Sequence, residues 1–210
     1  MKILSLLGSA RKKGNTATVL SWVEAELQTI GHEIERIHLP SKQINGCLGC
    51  GKCKEIPDRP GCVQKDDGLS VIGQMVESDA VIYASPLYYW GFTAHMKALI
   101  DRSYCLYRGA CGTPAHTSFV EGQRQALVVT AADAFENNTE LVITSFQRAL
   151  VYSKAKPAGE LMVCNSTTPE ELGEGIREQA GKFARQIFNE TNAPYALMIP
   201  GGAPMMIPAH

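Results

Sequence analysis

Cysteines are concentrated in one short stretch of this chain. Four of the seven lie within the sixteen residues CLGCGKCKEIPDRPGC, as Cys47, Cys50, Cys53 and Cys62. Three thiolates with two-residue gaps, followed by a fourth, form the ligand pattern of a [4Fe–4S] cluster, and glycines around them permit tight turns. A Cys₄ zinc site remains open as an alternative, although such sites usually pair two CxxC knuckles across a longer gap.

The other candidate metal ligands have simpler explanations. Cys105, Cys111 and Cys164 are predicted to be buried small apolar residues. The acidic pair in KDD at 65–67 opens a predicted helix, where the helix dipole favours negative charge without a metal. His95 and His116 are interpreted as incidental. The metal prediction therefore rests on the four clustered cysteines.

A second candidate site is the loop GSARKKGNTAT, which follows the first apolar run and precedes a helix. Ser9, Arg11, Asn15 and Thr16 supply hydrogen-bond donors, and free N–H groups at the helix start favour an anion. The loop lacks GxGxxG and GxxxxGKS/T, which argues against a Rossmann pyrophosphate site and a nucleotide triphosphatase. We predict a phosphate site, with a solvated turn as the alternative.

Three consecutive aromatic residues, Tyr88, Tyr89 and Trp90, follow a strand that the pattern places in the middle of the sheet. Their large plates, each with a polar group, suit the lining of a flat heteroaromatic ring. Padding of the sheet edge or of a subunit contact is the competing interpretation.

The elements that must position these residues alternate between strands and helices. Strands are predicted at 2–8, 33–39, 79–86, 124–132 and 156–163, and helices at 16–30, 67–77, 93–104, 138–152 and 167–188. Five strands interleaved with five helices predict an α/β fold, a flavodoxin-like doubly wound parallel sheet of order 2-1-3-4-5 with helices on both faces. In that order the ligand lies beyond the carboxyl ends of strands one and three.

The sequence also makes predictions about the first and the last of these helices. The first helix carries Val19, Val23, Leu27 and Ile30 on one face and stops at Gly31. The last one starts with Thr168 as N-cap, Pro169 at its first position and Glu171 two residues later.

Composition and length limit the class of protein. The chain has 210 residues, 45% of them hydrophobic, with 20 basic and 21 acidic side chains. We expect one domain over 1–190, with a cysteine loop at 44–64 and an insertion at 105–122, and a tail at 191–210. The near-zero net charge argues against nucleic-acid or membrane partners.

The expected compartment and assembly follow from the same data. With neither a signal-peptide pattern nor a membrane span, we expect a cytoplasmic protein whose thiols are reduced. The tail is rich in proline and methionine and is expected to be disordered or to lie on a partner. We expect a homodimer or homotetramer.

Three segments together resemble the flavodoxin-like NAD(P)H-dependent FMN reductases, and within them the iron–sulfur flavoproteins. They are GSARKKGNT, CLGCGKC followed by GCVQKDD, and SDAVIYASPLYYWGFTAHMKALIDR, which lie within residues 1–105. The resemblance implies that the FMN phosphate is held by Ser9, Arg11, Gly14, Asn15 and Thr16. It implies that the flavin ring is lined by Pro86, Leu87, Tyr88, Tyr89, Trp90 and Gly91, with a third loop that begins at Thr130 and Ala131 and ends at Asp133.

The same resemblance strengthens the iron interpretation of Cys47, Cys50, Cys53 and Cys62. The last gap departs from the pattern, because the eight residues KEIPDRPG exceed the few that are usual in that group. Similar proteins also retain such cysteines without a demonstrated cluster, so a cluster, a zinc site and an unused remnant all remain open.

The activity implied by the resemblance is hydride transfer from NAD(P)H to FMN. Electrons would then pass to a quinone, a second flavin, or a protein or metal acceptor, with the cluster as a possible route. The alternative is an FMN-binding electron carrier without turnover of its own. A phospho-receiver domain is disfavoured, because strand one ends in LLGS rather than in an acidic cluster.

Overall fold

The structure of the protein is a computed structural model. It describes residues 1–110 and 113–188 and, in the tail, only the backbone pairing of Ala196–Leu197 with Met205–Met206. The main sheet consists of β1 Lys2–Leu7, β2 Glu33–His38, β3 Ala80–Pro86, β4 Arg124–Thr130 and β5 Lys156–Val163. All neighbours in it are parallel, and their order β2-β1-β3-β4-β5 confirms the predicted topology.

Five α-helices connect or follow these strands. They are α1 Asn15–Thr29, α2 Gly68–Val76, α3 Ala94–Arg102, α4 Glu140–Ser153 and α5 Glu174–Gln186. Short 3₁₀ turns occupy Leu39–Ser41, Lys52–Glu55, Ser103–Leu106 and Pro169–Glu171. The predicted insertion contains an antiparallel ribbon of Tyr107–Arg108 and Thr117–Ser118. No helix in the described part of the chain is long and apolar enough to cross a membrane.

The sheet is covered on both faces. Helices α1 and α5 bury one face, where Val19, Val23 and Leu27 pack with Phe183. Helices α2, α3 and α4 bury the other face. Burial on both sides explains why β1 and β3 are continuously apolar rather than alternating.

Two helix predictions need correction. The predicted last helix, 167–188, is two elements, because Gly173 has an extended backbone and separates the 3₁₀ turn from α5. The capping box of Thr168 and Glu171 is present, but it begins the 3₁₀ turn. Ile30 does not continue the apolar face of α1, since it lies after the last helical turn and is 45% exposed. Gly31 ends the helix as predicted, with φ of 91°.

Two interpretations of polar residues also change. His116 was interpreted as incidental, but it is buried and has a polar partner. Its Nε2 lies 2.7 Å from the carbonyl oxygen of Tyr152. Asp66 is more than a dipole partner, because it forms a buried ion pair with Arg102. Cys105 and Cys164 are buried as predicted, whereas Cys111 and the predictions about the tail's conformation fall outside the described residues.

Candidate functional site

Three loops meet at the carboxyl ends of the central strands. The Thr93 hydroxyl, at the start of α3, donates to the carbonyl oxygen of Gly8 after β1, at 2.9 Å. The Leu87 N–H, after β3, donates to the carbonyl oxygen of Thr130 at the end of β4, also at 2.9 Å. The carboxyl ends of the central strands, where the strand order predicts a ligand, are therefore joined to one another by hydrogen bonds.

Gly8 allows this close approach. A Cβ atom at this position would lie 3.0 Å from Oγ1 of Thr93 and 3.1 Å from Cβ of Met96. A residue with a side chain at this position would therefore force the start of α3 to shift by a few tenths of an ångström.

The loop from Ser9 to Gly14 leads into the first turn of α1. Ser9 is buried, and its Oγ accepts a hydrogen bond from the N–H of Arg11 at 3.2 Å. Arg11 itself is exposed. No side chain caps α1 at Gly14, so the N–H groups of its first turn are free to bind an anion.

Asn15 and Thr16 connect this helix start to the strands on the other side of the site. The Thr16 hydroxyl lies 2.7 Å from the Thr130 hydroxyl, and both are buried. The Asn15 amide donates to the carbonyl oxygen of Ser166 at 3.0 Å, whereas its Oδ1 is buried without a hydrogen-bond partner among the described residues. Oδ1 is thus an unused acceptor beside the predicted phosphate loop.

The aromatic segment forms a tight turn at the carboxyl end of β3. Tyr88 and Gly91 exchange two backbone hydrogen bonds of 3.0 Å, and the two residues between them have positive φ, 48° for Tyr89 and 59° for Trp90. Residues with side chains rarely adopt this conformation, and such strain is concentrated at functional sites. Tyr89 is 96% exposed and Trp90 is 52% exposed, so their rings are available to a ligand.

The third predicted loop, from Thr130 to Asp133, is hydrogen-bonded to the end of β5 and to the residues that follow it. The Ala131 N–H donates to the carbonyl oxygen of Val163, and the Ser166 N–H donates to that of Ala131. Ser166 was missed in the sequence reasoning. Its place after a predicted strand, in the small polar run NST, was the available signal.

The four clustered cysteines line one cavity of about 170 Å³. Cys105 and Arg102 also line it. All four clustered cysteines are free thiols; Cys47 and Cys50 are exposed, and Cys53 and Cys62 are partly buried. Gly49 and Gly51, with φ of 64° and 70°, make the turns between the first three.

Charged residues hold both ends of the cysteine loop. Asp66 Oδ2 accepts a hydrogen bond from the Asn45 N–H at 3.0 Å, and Arg102 donates to Asp66 at 2.7 and 2.9 Å. This pairing holds the pKa of Asp66 well below its usual range, because the carboxylate accepts hydrogen bonds from Arg102. The carboxylate therefore stays ionised and keeps the loop ends together.

The residues between Cys53 and Cys62 form hydrogen bonds with the segment that follows α3. Arg108 donates to the carbonyl oxygens of Ile56 and Arg59. Lys54 donates to the carbonyl oxygens of Tyr104 and Tyr107 at 2.6 and 2.7 Å. The extra residues of the gap are therefore packed on the segment that follows α3.

The residues present suit an FMN in the first site. An uncapped helix start can bind the phosphate, and the buried Oδ1 of Asn15 can accept a hydrogen bond from a ligand hydroxyl. The exposed rings of Tyr88, Tyr89 and Trp90 can cover a flat ring.

The donor set of the cavity suits an iron–sulfur cluster, because four thiols and a cationic side chain share it. In the described ranges, however, no three His, Cys, Asp or Glu side chains lie close enough to bind one metal ion. A single metal ion such as zinc would therefore require the cysteine side chains to rearrange, whereas each thiolate of a [4Fe–4S] cluster binds a different iron.

Comparison with known proteins gives a consistent result. A family model described as NADPH-dependent FMN reductase matches residues 1–168. An iron–sulfur flavoprotein of Archaeoglobus fulgidus is 47% identical over 102 residues, which are 49% of this chain and 45% of the relative. One of Methanosarcina thermophila is 32% identical over 108 residues, 51% of this chain and 55% of the relative. The chain thus spans about half the length of the curated relatives it matches.

Solved structures support the fold. An azoreductase of Bacillus anthracis superposes on this chain with a TM-score of 0.68 at 11% identity. The superposition covers 89% of this chain and 98% of the azoreductase chain. An NAD(P)H:quinone oxidoreductase of Methanothermobacter marburgensis has the same TM-score at 18% identity, with 91% and 98% covered. At these identities the likeness concerns architecture alone.

Proposed function

The chain belongs to the NADPH-dependent FMN reductase family, and from that premise we propose that it is an FMN-dependent NAD(P)H oxidoreductase. Its electrons would pass to a quinone, a flavin, or a protein or metal acceptor, with a [4Fe–4S] cluster as the exit route. The observation that carries the proposal is the joining of three loops by the Thr93–Gly8, Leu87–Thr130 and Thr16–Thr130 hydrogen bonds.

We assign the phosphate to the first of these loops. Ser9, Arg11, Gly14, Asn15 and Thr16 lie around an uncapped helix start, where the dipole favours negative charge. The loop offers donors for one phosphate and no pyrophosphate fingerprint. FMN rather than FAD is therefore the expected cofactor.

The flavin ring would lie against the segment from Pro86 to Gly91, with Thr130 and Ala131 on the other side. Bound FMN supplies the redox chemistry, since it takes a hydride and can release electrons singly or in pairs. The protein positions the ring and leaves the aromatic turn open to solvent, so a nicotinamide or an acceptor can approach it.

The cluster would be held by Cys47, Cys50, Cys53 and Cys62 and would supply one-electron transfer. The cysteine cavity includes Arg102 at the C-terminal end of α3, whereas the flavin loops meet the N-terminal end of α3 at Thr93. The nine residues of α3 correspond to about 13 Å along the helix axis. The two sites would therefore be close but separate.

One anaerobic preparation tests this proposal. Flavin, iron and acid-labile sulfide should be measured together with the visible spectrum and with steady-state NAD(P)H oxidation. We expect FMN, four irons and four sulfides per chain, and turnover with quinones and one-electron acceptors. Protein without FMN would contradict the assignment, and bound FMN with no NAD(P)H turnover would favour the electron carrier.

A further inference from the structure

Arg102, the last residue of α3, is buried and positively charged. Not all of its hydrogen-bond donors have a partner among the described residues. Its side chain is 1% exposed. Nη1 donates to the carbonyl oxygen of Asn45 at 3.1 Å and to Oδ2 of Asp66 at 2.7 Å, and Nη2 donates to Oδ1 of Asp66 at 2.9 Å. These three bonds could be made by the three donors of a lysine.

These bonds use three of the five N–H donors of Arg102, and Nε is the guanidinium nitrogen that makes no hydrogen bond within the described part of the chain. It is buried and has no hydrogen-bond partner among the described residues. Leaving a buried donor unsatisfied is energetically costly, so a group of this kind needs an acceptor. A group outside the polypeptide can provide one.

The cysteine cavity is the place where that acceptor can lie, because Arg102 lines it together with Cys62 and the other clustered cysteines. The hydrogen bonds to Asp66 are the main cause of the raised pKa of Arg102, and the nearby Cys62 adds to it. The guanidinium is therefore bound to the Asp66 carboxylate and shares the cavity with the Cys62 sulfur.

Resting on the proposed cluster, we propose that Arg102 tunes it by donating its Nε–H to a cluster sulfur, either the Cys62 thiolate or a bridging sulfide. Reduction adds one electron and one negative charge to the cluster, and it forms or breaks no bond to Arg102. A cationic donor stabilises the more negative reduced state, so Arg102 raises the reduction potential. Its ion pair with Asp66 fixes the direction of the donor.

The variant Arg102→Lys separates the two roles of this side chain. It keeps a positive charge for Asp66 but has no counterpart of the Nε–H group. We expect the cluster to be retained and its reduction equilibrium constant to fall about tenfold, which is about 59 mV for a one-electron couple. Arg36→Lys is the matched control, because Arg36 pairs with Glu24 outside the cavity and should leave the equilibrium unchanged.

A spectroscopic measurement on wild-type protein tests the same hydrogen bond without relying on the stability of the variant. Protein labelled with nitrogen-15 arginine should show a nitrogen-15 coupling to the reduced cluster, and the coupling should vanish in Arg102→Lys. A missing coupling in wild type, or an unchanged equilibrium in a cluster-bearing variant, overturns the role of Arg102 and leaves the cluster standing. Wild-type protein that holds FMN but no iron after anaerobic reconstitution overturns the cluster and this inference with it.

Discussion

The hydroxyl oxygens of Thr16 and Thr130 lie 2.7 Å apart, although 114 positions separate the two residues in the chain. Both side chains are buried, and together they join the first turn of α1 to the carboxyl end of β4. One hydroxyl donates to the other, so each satisfies its partner.

Replacing one member of this pair should cost more than replacing both. Thr130→Val leaves the buried hydroxyl of Thr16 unpaired, which we expect to lower the free energy of unfolding by about 1–3 kcal/mol. The double variant with Thr16→Val should recover most of that loss, because no unpaired polar group remains. Urea unfolding of the two single variants and the double variant measures the coupling; strictly additive losses would contradict it.

Arg11→Ala should weaken FMN binding. A charge-assisted contact to the phosphate is worth about 1.5–3 kcal/mol, which corresponds to a loss in affinity of roughly ten- to a hundredfold. Titration of apoprotein with FMN gives the dissociation constant, with the quenching of flavin fluorescence as the measured signal. Lys12→Ala, which removes the exposed cation next to it, is the control. Equal affinities of wild type and Arg11→Ala would remove Arg11 from the phosphate site.

The strained turn at Tyr89 should gain stability when glycine replaces it. Tyr89 has φ of 48° and is almost fully exposed, so Tyr89→Gly relieves a left-handed conformation and loses little packing. We expect a gain of about 0.5–1 kcal/mol in thermal or urea unfolding. Tyr88→Gly, at a position without positive φ, should be destabilising instead. If both variants lose stability equally, the turn is not strained.

Cys50→Ala should remove the cluster and leave the flavin site in place, because the two sites use different loops. Iron and sulfide should be lost, FMN retained, and transfer to one-electron acceptors slowed more than transfer to quinones. Cys105→Ala is the sharpest control, since that thiol lines the same cavity but is not a predicted ligand. Iron that persists in Cys50→Ala and disappears in Cys105→Ala would require a different ligand set.

Glu160 should make stability depend on pH. Burial raises the pKa of this carboxyl group to about 7, and the hydrogen bond from Gln147 opposes part of the effect. The folded state then binds a proton more tightly than the unfolded state, so the free energy of unfolding falls as pH rises from about 4.5 to about 7.

Glu160→Gln should remove this dependence and stabilise the protein at pH 8, by up to about 3 kcal/mol. Urea midpoints of wild type and variant between pH 4 and pH 8 provide the measurement. Glu178→Gln, on an exposed position of α5, is the control and should change neither the midpoint nor its slope with pH. Parallel pH profiles of wild type and Glu160→Gln would contradict the raised pKa.

Local patterns in the sequence determined the sheet and the identity of the candidate loops. Continuous apolar runs predicted β1 and β3, and helical spacing predicted α1, because burial on a regular element repeats along the chain. The two-residue gaps between Cys47, Cys50 and Cys53 predicted a common site, because glycines between them permit tight turns. These signals depend on residues that are close in the chain, so one sequence was enough to recognise them.

Only the tertiary structure showed which distant residues meet. Thr16 pairs with Thr130, Asn15 with Ser166, and Arg102 with Asp66, at separations of 114, 151 and 36 positions. Such contacts depend on how α1, α3 and the strand ends pack together, and no local pattern encodes that packing. Burial of the Arg102 guanidinium against the cysteine cavity is likewise a property of the assembled fold, because an arginine near a helix end is typical of a solvated surface until packing encloses it.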